Sequence, residues 1–369
     1  MNESEKGSDP LRRGQKTNEN DSPPKGQTPF RIGSISPIES RDGLLSILRP
    51  HGSDLTLVAL TVAVFVTMSV LNPGRFLSAV NFQSMAFQFP ELALLSFAML
   101  LAMLSGGIDL SVVAIANLCG ILAAMILTGE LSGGEPLGGT ATSMVLAVVV
   151  AVVCGAFCGS LNGLLISRLE VSPILATLGT MQLFAGAGLV LTRGRAVHGF
   201  PESFLALGNG SLWGVPVPFL FFAVAAVLVW LLSSRTTLGI QMRLLGTNPT
   251  AALFSGIRVN RVLFRTYVIT GVLAAVTGLL MIARTNSAKA DYGSSYLLQS
   301  ILVVVLGGVN PAGGFGHVRG VCVAVLALQF LASGFSMLHF SNFAKEFIWG
   351  VFLLLFMMMN QISNRRLNQ

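Results

Sequence analysis

Ala141 to Ile166 reads ATSMVLAVVVAVVCGAFCGSLNGLLI, a run with no charged side chain, interrupted only by small, hydroxyl and amide residues. A helix needs about 20 consecutive apolar residues to cross the hydrocarbon layer of a bilayer, and this run is long enough to do so. It shows none of the strict alternation of a half-buried strand. Within it Gly155, Gly159 and Gly163 recur at every fourth position, the spacing that lets a second helix approach closely inside a membrane. Cys154 and Cys158 lie four apart on one helix face, and Cys119 and Cys322 also fall in apolar runs. The four read as buried packing residues, because neither disulfide geometry within one helix nor a metal-ligand set is offered.

Working outward, blocks of the same character lie near 54–71, 84–105, 108–128, 172–192, 216–232, 262–283, 295–308, 317–338 and 343–362. With 141–166 they make about ten spans. The fold class expected is therefore all-α, a polytopic transmembrane helical bundle. Spans are expected to be broken or re-entrant where Gly106-Gly107-Ile108-Asp109 and the run from Gly307-Gly308 to Gly316 interrupt the pattern. Composition agrees: 53% of the 369 residues are hydrophobic and 11% charged, against roughly 25% charged in soluble domains. One soluble core of this length could not hide so much apolar surface.

Residues 1–50 are different, rich in Ser, Pro, Gly and Asn with both signs of charge and no apolar period. Such a stretch buries too little surface to offset the entropy of ordering it, and it reads as a disordered cytoplasmic tail ahead of a membrane domain at 51–365. Its bases, Lys6, Arg12, Arg13, Lys16, Lys25 and Arg49, are nearly balanced by acids, so no nucleic-acid partner is expected. No cleavable signal pattern opens the chain, and the first span is expected to serve as the insertion signal. Arg235, Arg243, Arg258 and Arg261 crowd one loop without an acid, and Arg365 and Arg366 end the chain, whereas 129–140 holds Glu130 and Glu135 but no base. The positive-inside bias then places the arginine loop and both termini in the cytoplasm, although Arg193, Arg195, Arg284 and Lys289 fall on the other side. The net charge of +7 mostly reflects this loop bias.

Chemistry is sparse. The glycine run Gly307 to Gly316 has no Lys to reach a phosphate, so ATP hydrolysis by this chain is not expected. His51, His198, His317 and His339 are scattered at span ends with no His-Glu-x-x-His pairing; no catalytic, cofactor or metal site is expected. Charges inside a membrane are costly and mark a pathway or a partner. The candidates are Glu91, next to Pro90, and Asp109, which reads either as a helix cap beside Ser111 or as a solute contact. Gln88, Asn117, Asn162, Gln182 and Gln329 could line a wet passage or bond between helices. Glu91, Asp109, Asn117, Asn162 and Gln182 are the candidate translocation path.

The segment Gly246-Thr247-Asn248-Pro249-Thr250-Ala251-Ala252-Leu253-Phe254-Ser255-Gly256-Ile257 predicts a short capped helix: Asn248 caps, Pro249 suits the first position and Gly256 ends it. Its apolar side, Ala252, Leu253 and Phe254, needs a cover, either lipid or a partner.

Taken together, Gly106-Gly-Ile-Asp-Leu-Ser111, Asn162-Gly163 followed by Pro173-Ile-Leu-Ala-Thr-Leu-Gly179, the Gly246–Ile257 segment, and Leu306-Gly-Gly to Gly-Gly314-Phe-Gly316 resemble the membrane permease subunits of ribose-type sugar ABC transporters. Members import ribose, xylose, arabinose, galactofuranose or the autoinducer-2 signal. The resemblance implies a second permease copy or paralogue, a cytoplasmic ATPase subunit that uses ATP, a periplasmic solute-binding protein, and lipid of the bacterial inner membrane around the bundle. It further implies that Gly246, Asn248, Pro249, Ala251, Ala252, Leu253 and Gly256 form the coupling segment that docks into the ATPase. On this reading the chain is a permease that moves a small polyhydroxy solute by alternating access, and not an enzyme. It departs from the family pattern at Val113, at Thr250, and at Leu297-Leu298-Gln299 after Tyr296. The alternative is an ion-coupled secondary transporter, which calls for paired intramembrane carboxylates or a basic partner for one of them; the sequence shows neither.

Overall fold

The computed structural model describes residues 43–130 and 139–367. Most of the expected tail, and the middle of the loop with Glu135, lie outside the described residues. Along the chain run α1 (Gly43–Leu71), α2 (Ala79–Leu104), α3 (Val112–Leu127), α4 (Thr140–Ser167), α5 (Pro173–Thr192), β1 (Val197–His198), α6 (Glu202–Asn209), β2 (Ser211–Leu212), β3 (Val215–Pro216), α7 (Val217–Arg235), α8 (Thr237–Thr247), α9 (Pro249–Phe254), α10 (Val259–Thr285), β4 (Ser287–Ala288), α11 (Ser295–Leu306), α12 (Val318–Met337) and α13 (Asn342–Leu367). Helix α1 starts ahead of the boundary expected at residue 50.

The chain is an all-α membrane bundle, its four strands among the described residues being two residues each. Each expected apolar segment holds one helix, and α2, α4, α5, α7, α10 and α12 are by themselves long and apolar enough to cross a membrane. Helices α3 and α11 have only 16 and 12 residues. Each abuts an interruption seen in the sequence: α3 begins just after Gly106–Asp109, and α11 ends at Gly307-Gly308. Helix α2 keeps Pro90 in its interior.

Helices α2 and α10 are the buried centre, and α3, α4 and α12 pack on them. The glycine stripe of α4 explains the closest of these contacts. A β-carbon on Gly155 would stand 2.6 Å from the Ala275 Cβ, and Gly159 lies against the Tyr267 backbone. Only hydrogen at these positions lets the two backbones meet. The outer helices turn apolar side chains outward, among them Phe157, Leu183, Val190 and Leu228, as a bilayer solvent permits. At one end of the bundle, β1 pairs antiparallel with β4, Val197 opposite Ala288. Strands β2 and β3 form a hairpin turned by Trp213 and Gly214 at φ +52° and +82°, the two left-handed positions of a type I′ turn. Helices α8 and α9 lie at the opposite end, before α10 begins.

Candidate functional site

A saturated polar knot forms where the chain breaks between α2 and α3. The Ser111 N–H and hydroxyl donate to Asp109 Oδ1 at 3.0 and 2.6 Å, and the Thr270 hydroxyl of α10 donates to Asp109 Oδ2 at 2.9 Å. Asn162 of α4 donates through Nδ2 to Ser111 Oγ at 2.7 Å and accepts from the Thr180 hydroxyl of α5 at 2.6 Å. All five residues are buried. An unpaired carboxylate at this depth would be costly; here both oxygens are engaged, and four elements are pinned to the break. Asp109 and Asn162 are thus brought together, and Asp109 holds the amide two residues on, ahead of the first turn of α3.

Glu91 has a partner that the sequence did not reveal. Arg284, at the far end of α10, donates to it through two nitrogens, Nη2 to Oε2 at 2.9 Å, and the Tyr296 hydroxyl donates to the same Oε2 at 3.1 Å. The expectation that no intramembrane acid has a basic partner is corrected by this pair. Arg284 falls one residue past the apolar segment 262–283 and so counted as a loop residue; in three dimensions α10 continues to Thr285 and delivers it to Glu91. A planar guanidinium matches a carboxylate bidentately, so Glu91, at 1% exposure, is fully satisfied.

Next to Glu91 opens a cavity of about 480 Å³ among α2, α11, α12 and α13, with Gln88, Tyr292, Gln299, Gln329, Ser333 and Trp349 on its walls. Its volume is in the range of small-molecule sites, roughly 300–1,000 Å³. Amides, hydroxyls and two aromatic faces suit hydrogen bonding and stacking to a polar solute, Lys345 and Glu346 stand on one side, and Met85, Leu92, Leu328 and Met337 add apolar surface. Gln299, three residues past Tyr296, stands in this wall. Asn117 does not line the cavity but donates through Nδ2 to the carbonyls of Ala290 and Tyr292, both at 2.9 Å, and so fixes the loop that carries Tyr292. Gln182 stands apart from all of these, exposed on α5 between Gly179 and Gly186.

At the other end, the segment 246–257 has the expected local form. Asn248 Oδ1 accepts from the Ala251 N–H at 3.0 Å, Pro249 opens α9, and Gly256 follows it at φ +77°. The short helix divides its apolar residues, however: Ala252 is 3% exposed and belongs to the core, while Leu253 and Phe254 are 62% and 87% exposed. Gly246 meets the glycine loop between α11 and α12. A β-carbon on Gly313 would stand 2.8 Å from both Gly106 Cα and Gly246 Cα, and the Gly314 N–H donates to the Leu104 carbonyl at 3.2 Å. Three glycine motifs far apart in sequence therefore meet at one backbone crossing. Arg243 sits close by, its Nε donating to the Ser233 carbonyl at 3.3 Å, and burial draws its pKa below the ordinary arginine value. Among the described residues the four cysteines are free, with the Cys154 and Cys158 sulfurs 4.0 Å apart, and no three metal-ligating side chains gather.

Residues 81–359 match a family model described as branched-chain amino acid transport system / permease component. The chain is 37% identical over 322 residues to the ribose import permease protein RbsC of Bacillus subtilis (strain 168), an alignment covering 87% of this chain and 94% of that protein. It is 33% identical over 322 residues to the autoinducer 2 import system permease protein LsrD of Escherichia coli (strain K12), covering 86% and 94%. No solved structure matches it.

Proposed function

Because the chain belongs to the family of transport-system permease components, we propose that it forms the membrane passage of an ATP-binding-cassette importer carrying a small polyhydroxy solute. The observation that carries the solute class is the cavity beside Glu91. Its amides and hydroxyls offer many paired donors and acceptors to a polyhydroxy solute, and the buried carboxylate beside it, Glu91, is already occupied by Arg284 and Tyr296. The names of the two relatives, ribose import and autoinducer 2 import, favour the same class over the amino acids in the description of the family model.

On this reading ATP is used by a separate cytoplasmic subunit, which grips Leu253 and Phe254 of α9, and a solute-binding protein delivers cargo to the opposite end. Movement of α9 reaches the cavity through rigid parts. Gly246, at the end of α8, touches the last turn of α2 and the loop that leads into α12, and both α2 and α12 wall the cavity. A push at the glycine crossing thus alters the cavity walls without a continuous open channel, which is alternating access by small shifts of packed helices. A second permease subunit covers the α5 face that exposes Gln182, since an amide facing hydrocarbon in mid-span is unfavourable. The reading places ten crossings in the bacterial inner membrane with both termini cytoplasmic, the arginines of 235–261 obeying the positive-inside bias.

Uptake by proteoliposomes holding the permease, its ATPase and its binding protein tests the proposal. ATP-dependent accumulation of a radiolabelled pentose, hexose or related polyhydroxy compound is expected. Accumulation of leucine with no polyhydroxy solute taken up overturns the solute class; uptake driven by an ion gradient without ATP overturns the importer class.

A further inference from the structure

Arg258, Arg261 and Arg265 follow one another at spacings of three and four along the start of α10, so they share a face. Arg168 stands beside them at the end of α4. The four border a cleft of about 930 Å³ whose other walls are mostly apolar: Leu164 and Phe264, exposed by 45% and 38%, at one side, and Leu253 and Ile257 of the 246–257 segment at the other. The three arginines of α10 also edge a second, smaller cleft of about 270 Å³. All four guanidinium-bearing residues are exposed, and the one ion pair among the described residues is that of Glu91 with Arg284. Among the described residues none of the four is in an ion pair with an acid.

The position matters as much as the charge. Helices α4 and α10 are both long and apolar enough to cross a membrane, and the cleft lies at the end of one and the beginning of the other. Leu164 and Phe264 therefore flank the membrane, Arg168, Arg258 and Arg261 lie outward of them along the two helices, and Arg265, level with Phe264, can reach outward along its flexible stem. A soluble anion would use the cations and leave the apolar wall idle. An acidic protein surface, such as the ATPase proposed to grip Leu253, would cover the α9 end of the cleft and leave Leu164 and Phe264, on the two membrane-spanning helices, unused. One class of molecule uses both halves, an anionic phospholipid. Its phosphate accepts paired N–H bonds from guanidinium groups, and its acyl chain lies along Leu164 and Phe264.

We propose that the cleft between the end of α4 and the start of α10 is a binding site for the headgroup and first acyl segment of an anionic phospholipid. The site is independent of which solute the protein carries.

Native mass spectrometry of the full-length chain, purified in mild detergent and offered phosphatidylglycerol or phosphatidylcholine with the same acyl chains, tests it. Phosphatidylglycerol is expected to stay bound and phosphatidylcholine to leave. The double substitution Arg261→Gln/Arg265→Gln should weaken retention by about tenfold or more. Arg261→Lys/Arg265→Lys should keep most of it, and so should Arg235→Gln, an exposed arginine outside the cleft that stacks on Trp230. Equal retention of both lipids, or unchanged retention in the double Gln variant, overturns the site. Release of the lipid by excess inorganic phosphate would make it an ion site only, and displacement of the lipid by the added ATPase subunit would make it a protein interface; either defeats the proposal. Photolabelling of the unaltered chain with a diazirine-bearing phosphatidylglycerol needs no variant to fold: label on the peptides holding Leu164 or Phe264 supports the site, and label confined elsewhere rejects it.

Discussion

The backbones of Gly246 and Gly313 cross so closely that a β-carbon on Gly313 would stand 2.8 Å from the Gly246 Cα and carbonyl oxygen. Gly313 also sits at φ +100°, where L side chains are strained. Gly313→Ala is therefore expected to cost about 1–3 kcal/mol in backbone strain, with crowding at the crossing added. Gly106 is the control. It too has positive φ, +87°, but a β-carbon there would find its nearest neighbour 3.5 Å away, so Gly106→Ala carries the strain alone. Thermal unfolding of the purified permease should rank Gly313→Ala clearly below Gly106→Ala; equal losses would show that the close crossing is not what matters.

Glu91 and Arg284 should behave as a unit. Removing one partner leaves the other charge poorly compensated, which for buried pairs costs about 3–5 kcal/mol. Glu91→Leu and Arg284→Met are each expected to destabilise, while the two together recover much of the loss. A double-mutant cycle on unfolding free energies checks this. Additive losses would mean that the two charges do not support one another.

How much of this was legible in the sequence differs by range of interaction. The apolar blocks located their helices because the requirement for about 20 apolar residues is local and strong, and the Asn248 cap was legible because its bond spans three residues. Glu91 and Arg284 were not paired in advance because 193 positions separate them and no period links them. Likewise, three glycine motifs were visible as motifs, yet their purpose, a shared crossing, exists only once α2, α8 and the 307–317 loop are folded together. Ala252 was grouped with Leu253 and Phe254 because a six-residue helix is too short for its pattern to define a face.

Asp109 has every carboxylate contact supplied by the protein, by Ser111 and Thr270. Asp109→Asn preserves an acceptor for Ser111 and can donate to Thr270 Oγ1, whose own hydroxyl lies 2.9 Å from the Tyr267 carbonyl. It should therefore keep both stability and transport. Asp109→Ala orphans buried donors at about 1–3 kcal/mol and should lower the unfolding temperature and uptake together. Loss of uptake in Asp109→Asn with unfolding unchanged would instead give the carboxylate a direct part in solute passage.

Sidedness follows from α7, which separates the β2–β3 hairpin from α8. A cysteine at Trp213, 97% exposed at the hairpin tip, should react with a membrane-impermeant maleimide added to intact spheroplasts. One at Leu253 should react only after the membrane is opened. Labelling of both from the same side would remove α7 from the count of crossings.

The division of α9 into an inward Ala252 and outward Leu253 and Phe254 sharpens the test of coupling. If an ATPase subunit grips this helix, Leu253 and Phe254 form the centre of the contact, where an unpaired charge costs several kcal/mol. Leu253→Asp and Phe254→Asp should then release the ATPase and abolish solute-stimulated hydrolysis, while the permease unfolds at its normal temperature, because both side chains are already exposed. Ala252→Asp should do the reverse. Its charge would enter the core, so the permease itself should unfold earlier, and any loss of the ATPase would be secondary. A helix that merely lies on lipid predicts a third pattern, in which Leu253→Asp and Phe254→Asp leave ATPase recovery untouched. Co-purification and thermal unfolding, measured side by side with Leu253→Met as a volume-conserving control, distinguish the three: equal ATPase recovery in Leu253→Asp and Leu253→Met would leave α9 without a coupling role.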